Sequence, residues 1–195
     1  MVNALTAVAS DRQTVRLTRD PEVIADADRI VLPGVGAFAE CRRRLDDSGV
    51  LSTMTAAVRS GRPFLGVCVG MQILADEGRE FGSTPGLGWI SGVTRRITFP
   101  TGHLGPTKLP HVGWTKIQLR KRDLFDGIHD DDHFYFVHSY TLECSDSNQI
   151  AAEAEYGETF TASVLDRNIF GCQFHPEKSS QPGLRVLENF CRWIP

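Results

Sequence analysis

The sequence predicts an α/β fold, a doubly wound and mostly parallel sheet with antiparallel additions. Three observations predict it. The first 80 residues alternate short apolar runs with amphipathic segments, the pattern of strands and helices in turn. The apolar run 64–67 leads into Gly66-Val67-Cys68-Val69-Gly70, a strand that turns sharply into a helix. Beyond residue 80 the chain becomes rich in Gly, Pro and Thr, with short alternating runs suited to antiparallel strands. At 195 residues the chain is most simply one domain, 1–195, with room for a substantial core.

In chain order, residues 4–10 read as a short helix and 14–17 as a small strand. Asp20-Pro21 marks a turn, and 22–28 can form one or two helical turns. The run 29–32 is a buried strand that enters Pro33-Gly34-Val35-Gly36, and helices follow at 38–46 and 51–59. Alternation at 92–97, 112–117 and 134–140 gives further strands, expected as antiparallel additions to the sheet. The run 169–174 is a second buried strand. A helix over 183–193 places Leu184, Leu187 and Phe190 on one face. No internal repeat or low-complexity segment interrupts the chain.

Composition excludes several function classes. The formal net charge is -3, and no basic patch of the kind nucleic-acid binding needs is present. Arg42-Arg43-Arg44 is followed at once by Asp46 and Asp47, which reads as a solvated helix face. Five cysteines without regular spacing fit a reducing compartment, and no Cys-x-x-Cys pair suggests a structural zinc. The sequence displays no secretory leader pattern and no apolar run of membrane-spanning length, so the cytoplasm is the expected location.

The chemistry lies in two places. Glycines flanking Cys68 let the backbone fold back without Cβ clashes, and the thiol projects from the amino end of a helix. Helix-end amides favour a thiolate there. The same pattern also suits a buried structural cysteine beside packing glycines. The second place is His175-Pro176-Glu177, at the end of the 169–174 strand. In extended backbone His175 and Glu177 share a face. A histidine base oriented by a carboxylate is what a thiol nucleophile requires. The remaining histidines, His103, His111, His129 and His133, read as loop or partner-surface residues.

Together, Pro33-Gly34-Val35-Gly36, the Gly66 to Gln72 elbow and His175-Pro176-Glu177 resemble the class I (triad) glutamine amidotransferases, with their flavodoxin-like core. Leu109-Pro110-His111-Val112-Gly113-Trp114, Phe136-Val137-His138-Ser139-Tyr140 and His175-Pro176-Glu177-Lys178-Ser179-Ser180 resemble, within that family, the glutaminase subunits of imidazole glycerol phosphate synthases. The resemblance runs from about Asn3 to the C-terminus. It implies that Cys68 attacks the side-chain amide of glutamine, that His175 transfers protons and that Glu177 orients His175. It places oxyanion donors at Val69 and in Gly34-Val35-Gly36, and substrate contacts at Gln72, His138, Ser139 and Tyr140. It implies no cofactor and no metal. It also implies a heterodimer with a (β/α)8-barrel cyclase, contacted by Trp114, Tyr135 and Lys178. That partner consumes the ammonia with a phosphoribulosyl aminoimidazole carboxamide and forms imidazole glycerol phosphate and aminoimidazole carboxamide ribotide, in histidine biosynthesis.

The chain departs from the resemblance in two places. Thr115 stands where asparagine usually follows Gly-Trp. The family opens with an apolar strand and an Asp-Tyr-Gly loop, which Met1-Val2-Asn3-Ala4-Leu5 does not supply; the resemblance therefore implies a missing first strand and a start inside the domain. Two rival readings are an amidotransferase subunit of pyridoxal phosphate synthesis, which has a different glycine loop, and a non-catalytic regulatory protein on the same sheet, which an intact Cys68, His175 and Glu177 opposes.

Overall fold

The computed structural model describes residues 1–102, 105 and 108–195. His103 lies outside them. At its centre is a mixed six-stranded sheet, ordered Ile30–Gly34, Phe64–Cys68, Ile169–Cys172, Glu158–Asp166, Ile150–Tyr156 and Gln118–Leu119. The first three strands are parallel, and the last three are antiparallel to their neighbours. Phe64–Cys68 is buried along its whole length, as a central parallel strand must be.

The antiparallel strands read at 92–97, 112–117 and 134–140 exist, but they do not join the central sheet. Gly92–Arg96 pairs with Tyr140–Cys144 in a four-stranded sheet. His111–Lys116 pairs with His133–His138 as a separate ribbon. The ribbon has two unlike faces: Phe134, Phe136, His111 and His138 are buried, whereas Val112 and Trp114 are exposed.

The predicted strand at 14–17 is absent. These residues are irregular, and Leu17 is 86% exposed. Alternation alone cannot hold a strand whose backbone finds no partner edge. The segment is tied down instead by its neighbour Gln13, whose Nε2 donates to the Cys191 carbonyl at 2.7 Å. The first helix spans Val2–Val8, shifted toward the N-terminus from its expected place, and packs against Ser180–Arg192. Arg29 closes the end of that last helix, donating from Nε to the Phe190 carbonyl and from Nη2 to the Trp193 carbonyl at 3.1 and 2.7 Å. In the arginine triplet, Arg42 and Arg43 pair with Asp46 and Asp47, and Arg44 pairs with Glu40.

Candidate active site

Three parallel strands deliver the candidate residues to one end of the sheet. Gly34 is in register with Cys68, and Cys172 with Val67, so the glycine loop, the elbow and His175 all leave the carboxyl ends of adjacent strands. Ligand sites of open α/β sheets form at that edge.

Cys68 has φ 56° and ψ −114°, a left-handed conformation rare for a non-glycine residue. The surrounding backbone is close enough to explain the glycines. A Cβ on Gly70 would lie 1.9 Å from the Leu32 carbonyl oxygen, and one on Gly34 would lie 2.6 Å from the Gly70 nitrogen. The helix after the elbow is one turn, Val69–Gln72. Its contribution at Cys68 is therefore that of local amides rather than of a long dipole. The Val69 N–H, first in this turn, has no intrahelical acceptor.

The opposing wall is built by residues 175–179. His175 is buried, and its Nδ1 lies 3.0 Å from Glu177 Oε1. The His175 amide donates to the Tyr135 carbonyl at 2.9 Å. Ser179 is fully buried; its hydroxyl donates to the His175 carbonyl at 2.7 Å and accepts from the Tyr135 amide at 2.9 Å. Gly183 lets the last helix press against this segment, since a Cβ there would lie 2.0 Å from the Pro176 carbonyl.

Burial opposes the charged form of His175, but Cys68 and Glu177 outweigh it and raise the imidazole pKa to about 9. Nε2 is buried without a hydrogen bond of regular geometry, and Cys68 is nevertheless the neighbour that raises the pKa most. Burial raises the Glu177 carboxyl, yet the bond to His175 brings it below its ordinary value. Burial also raises the thiols of Cys41, Cys144 (to about 12), Cys172 and Cys191, which keeps them protonated.

The other predicted positions divide into three groups. In the glycine loop, Val35 is largely exposed, Gly36 has φ 97°, and the Val35 carbonyl accepts from Cys41 Sγ at 3.1 Å. Trp114, Tyr135 and Lys178 come together on the outer face of the ribbon: the two rings meet edge to face at 5.8 Å, and Lys178 Nζ stands 5.8 Å from the Tyr135 ring. Gln72 and His138 are buried and bonded to protein atoms; Ser139 and Tyr140 are half-buried.

One expectation is corrected. His111 is neither a loop nor a surface residue: it is 2% exposed, stacked on Tyr156 and Phe136. Its place on the inward face of the ribbon explains this, since the sheet period sends His111 to the core and Val112 to solvent. Gln173 was missed altogether. It is fully buried, and its Nε2 lies 3.7 Å from Cys68 Sγ. Its position two residues before His175 was the available signal. Among the described residues no His, Cys, Asp and Glu group is arranged to hold a metal, and no helix is long and apolar enough to cross a membrane.

Residues 1–193 match the family model of glutamine amidotransferase class-I. The chain is 50% identical over 182 residues to the imidazole glycerol phosphate synthase subunit HisH of Caulobacter vibrioides, covering 92% of this chain and 84% of that protein. It is 49% identical over 183 residues to the same subunit of Rhodospirillum rubrum, with the same coverage. Among solved structures, a glutamine amidotransferase superposes with TM-score 0.70 at 18% identity, covering 98% of this chain and 92% of the other. A putative GMP synthase protein from Thermoplasma acidophilum gives 0.66 at 22% identity, covering 98% and 84%. At such identities these two likenesses speak for the fold alone. Sequence kinship with the HisH proteins goes further: the chain belongs to the class I glutamine amidotransferases, as a glutaminase subunit of imidazole glycerol phosphate synthase in histidine biosynthesis.

Proposed function

We propose that Cys68, His175 and Glu177 form the catalytic triad of this glutaminase. The observation that carries the reading is the His175–Glu177 bond of 3.0 Å, on an imidazole that Cys68 and Glu177 together hold toward its charged form. Cys68 sulfur attacks the side-chain amide carbon of glutamine. The proton shared by the Cys68–His175 pair lies on His175 and passes to the departing ammonia, leaving a glutamyl thioester on Cys68. Water, activated by the same imidazole, then releases glutamate and restores the thiol. The oxyanion of each tetrahedral intermediate is met by the Val69 amide and by an amide of the Gly34-Val35-Gly36 loop. Gln72, His138, Ser139 and Tyr140 form the wall on the substrate side.

Ammonia passes to a (β/α)8-barrel cyclase, which docks on the face formed by Trp114, Tyr135 and Lys178. An exposed Trp114 against a half-buried Tyr135, with a cation over the Tyr135 ring, suits such a contact. The reading is supported by the ribbon itself, which ties that face to the triad through the Tyr135 carbonyl and amide.

The test is Cys68→Ala in the reconstituted synthase. Glutamine-dependent turnover is expected to vanish, while turnover with added ammonium stays at the level of the unmodified enzyme. Glutamine-dependent turnover that survives the substitution overturns the assignment.

A further inference from the structure

The hydroxyl of Thr115 stands at one end of a buried chain of hydrogen bonds, and Cys68 stands at the other. Gln173 Nε2 lies 3.7 Å from Cys68 Sγ. Gln173 Oε1 accepts from Gln72 Nε2 at 3.0 Å, and the same nitrogen donates to the Tyr140 carbonyl at 2.8 Å. That carbonyl is also 2.9 Å from His138 Nδ1. His138 Nε2 is 3.1 Å from His111 Nδ1, and His111 Nε2 is 2.9 Å from Thr115 Oγ1.

The chain has a direction, and the Tyr140 carbonyl sets it because a carbonyl only accepts. His138 Nδ1 must therefore carry a proton. Burial holds His138 and His111 neutral, with pKa values lowered to about 3 and about 4. A neutral His138 offers a lone pair at Nε2, so His111 Nδ1 donates to it. A neutral His111 then offers a lone pair at Nε2, and Thr115 O–H donates there. On the other side of the carbonyl, Gln72 must present its nitrogen. Gln173 then accepts with its oxygen and turns its NH₂ group toward the sulfur.

We infer that Thr115, His111, His138 and Gln72 are positioning residues that hold the Gln173 side-chain amide with an N–H directed at the Cys68 sulfur. The inference rests on Cys68 as the nucleophile. A sulfur that becomes anionic accepts an N–H well, whereas an amide oxygen in the same place would repel it. The chain also gives the Thr115 departure a role: its hydroxyl is the donor that completes the hydrogen bonding of His111. Geometry links the two sides of the ribbon, since His111 and Thr115 belong to the strand that carries Trp114 outward.

Two measurements test the inference. Nitrogen-15 spectra of the histidine-labelled, otherwise unmodified chain should find His111 and His138 both protonated at Nδ1 and unprotonated at Nε2. An Nε2-protonated form of either one overturns the direction of the chain. The second measurement compares Gln173→Leu, Thr115→Val and Thr115→Ser in the reconstituted synthase, by Cys68 alkylation with iodoacetamide and by glutamate release. Gln173→Leu should slow alkylation and kcat about tenfold with KM changed less than about twofold, the scale of one hydrogen bond to a charged group. Thr115→Val should slow both about threefold, and Thr115→Ser should restore them. Unmodified rates in Gln173→Leu or Thr115→Val overturn the positioning role. If either variant fails to fold, the tautomers of the unmodified chain still decide the direction. If Cys68 of the unmodified chain resists alkylation, the nucleophile reading fails, and the tautomers distinguish that failure from a failure of the chain.

Discussion

His175 on one side of the site and the His111–His138 pair on the other are equally hidden from water, yet they prefer opposite charge states. His175 is 4% exposed, His138 6% and His111 2%. Burial works against the imidazolium in all three. The difference is the partner. His175 faces a carboxylate and a thiol, which carry its pKa to about 9. His138 has no such partner: burial lowers it to about 3, although its bond to the Tyr140 carbonyl works the other way. Burial alone lowers an imidazole pKa, and the partners of His175 reverse that direction. In the proposed mechanism the charged site serves proton transfer, and the neutral pair serves fixed orientation.

Removing the carboxylate breaks the contrast most severely. In Glu177→Gln the His175 imidazole keeps its burial and loses its anionic partner, so its pKa should drop. Glutamate release should fall by at least about a hundredfold, the lower range for loss of an oriented acid–base group. The alkaline limb of the pH–rate profile should move to lower pH with it. A variant with the unmodified profile would show that the carboxylate does not govern His175.

The neutral pair makes a prediction about stability. His138 is neutral when folded and charged when unfolded between about pH 6.5 and about 3, so the unfolded chain binds more protons and stability falls as pH falls through that window. At pH 5 this amounts to about 2 kcal/mol for His138, and His111 adds with the same sign. His175 acts the other way: its contribution is complete below pH 6.5 and is lost as pH rises through about 9. Urea midpoints at pH 7.5 and pH 5 check the acid side, and the His138→Gln variant should have a smaller difference between them. Equal differences in the two proteins would remove His138 from the account.

The smallest effect on the fold belongs to the outer face of the ribbon. Trp114 is 50% exposed, so Trp114→Ala should change stability by less than about 1 kcal/mol. Binding of the cyclase should weaken at least about tenfold, since exposed tryptophans are frequent hot spots. Titration of the labelled partner measures it. Unchanged affinity would place the docking face elsewhere.

The elbow and the His175–Glu177 contact were legible because each is a local pattern. Gly66-Val67-Cys68-Val69-Gly70 encodes its own turn, and His175-Pro176-Glu177 encodes its own carboxylate–imidazole contact. The parallel strands that align them were legible as apolar runs. Gln173, Thr115 and His111 were not legible as a unit. Their bonds join residues that are distant along the chain, and no short pattern announces such a meeting. The strand expected at 14–17 failed for a related reason: strands depend on a neighbour's backbone, which a window of four residues does not contain. The same limit explains why the ribbon strands were found but assigned to the central sheet.

The hydroxyl of Ser179 ties two segments together, bonding the His175 carbonyl of its own segment and the Tyr135 amide of the ribbon while Ser179 lies fully buried. The Tyr135 carbonyl in turn receives the His175 amide. Opening the wall around His175 therefore requires the ribbon to loosen in the same event. In the time domain, the amides of Tyr135 and His175 should exchange with deuterium as one cooperative pair, and later than the exposed amides on either side of them.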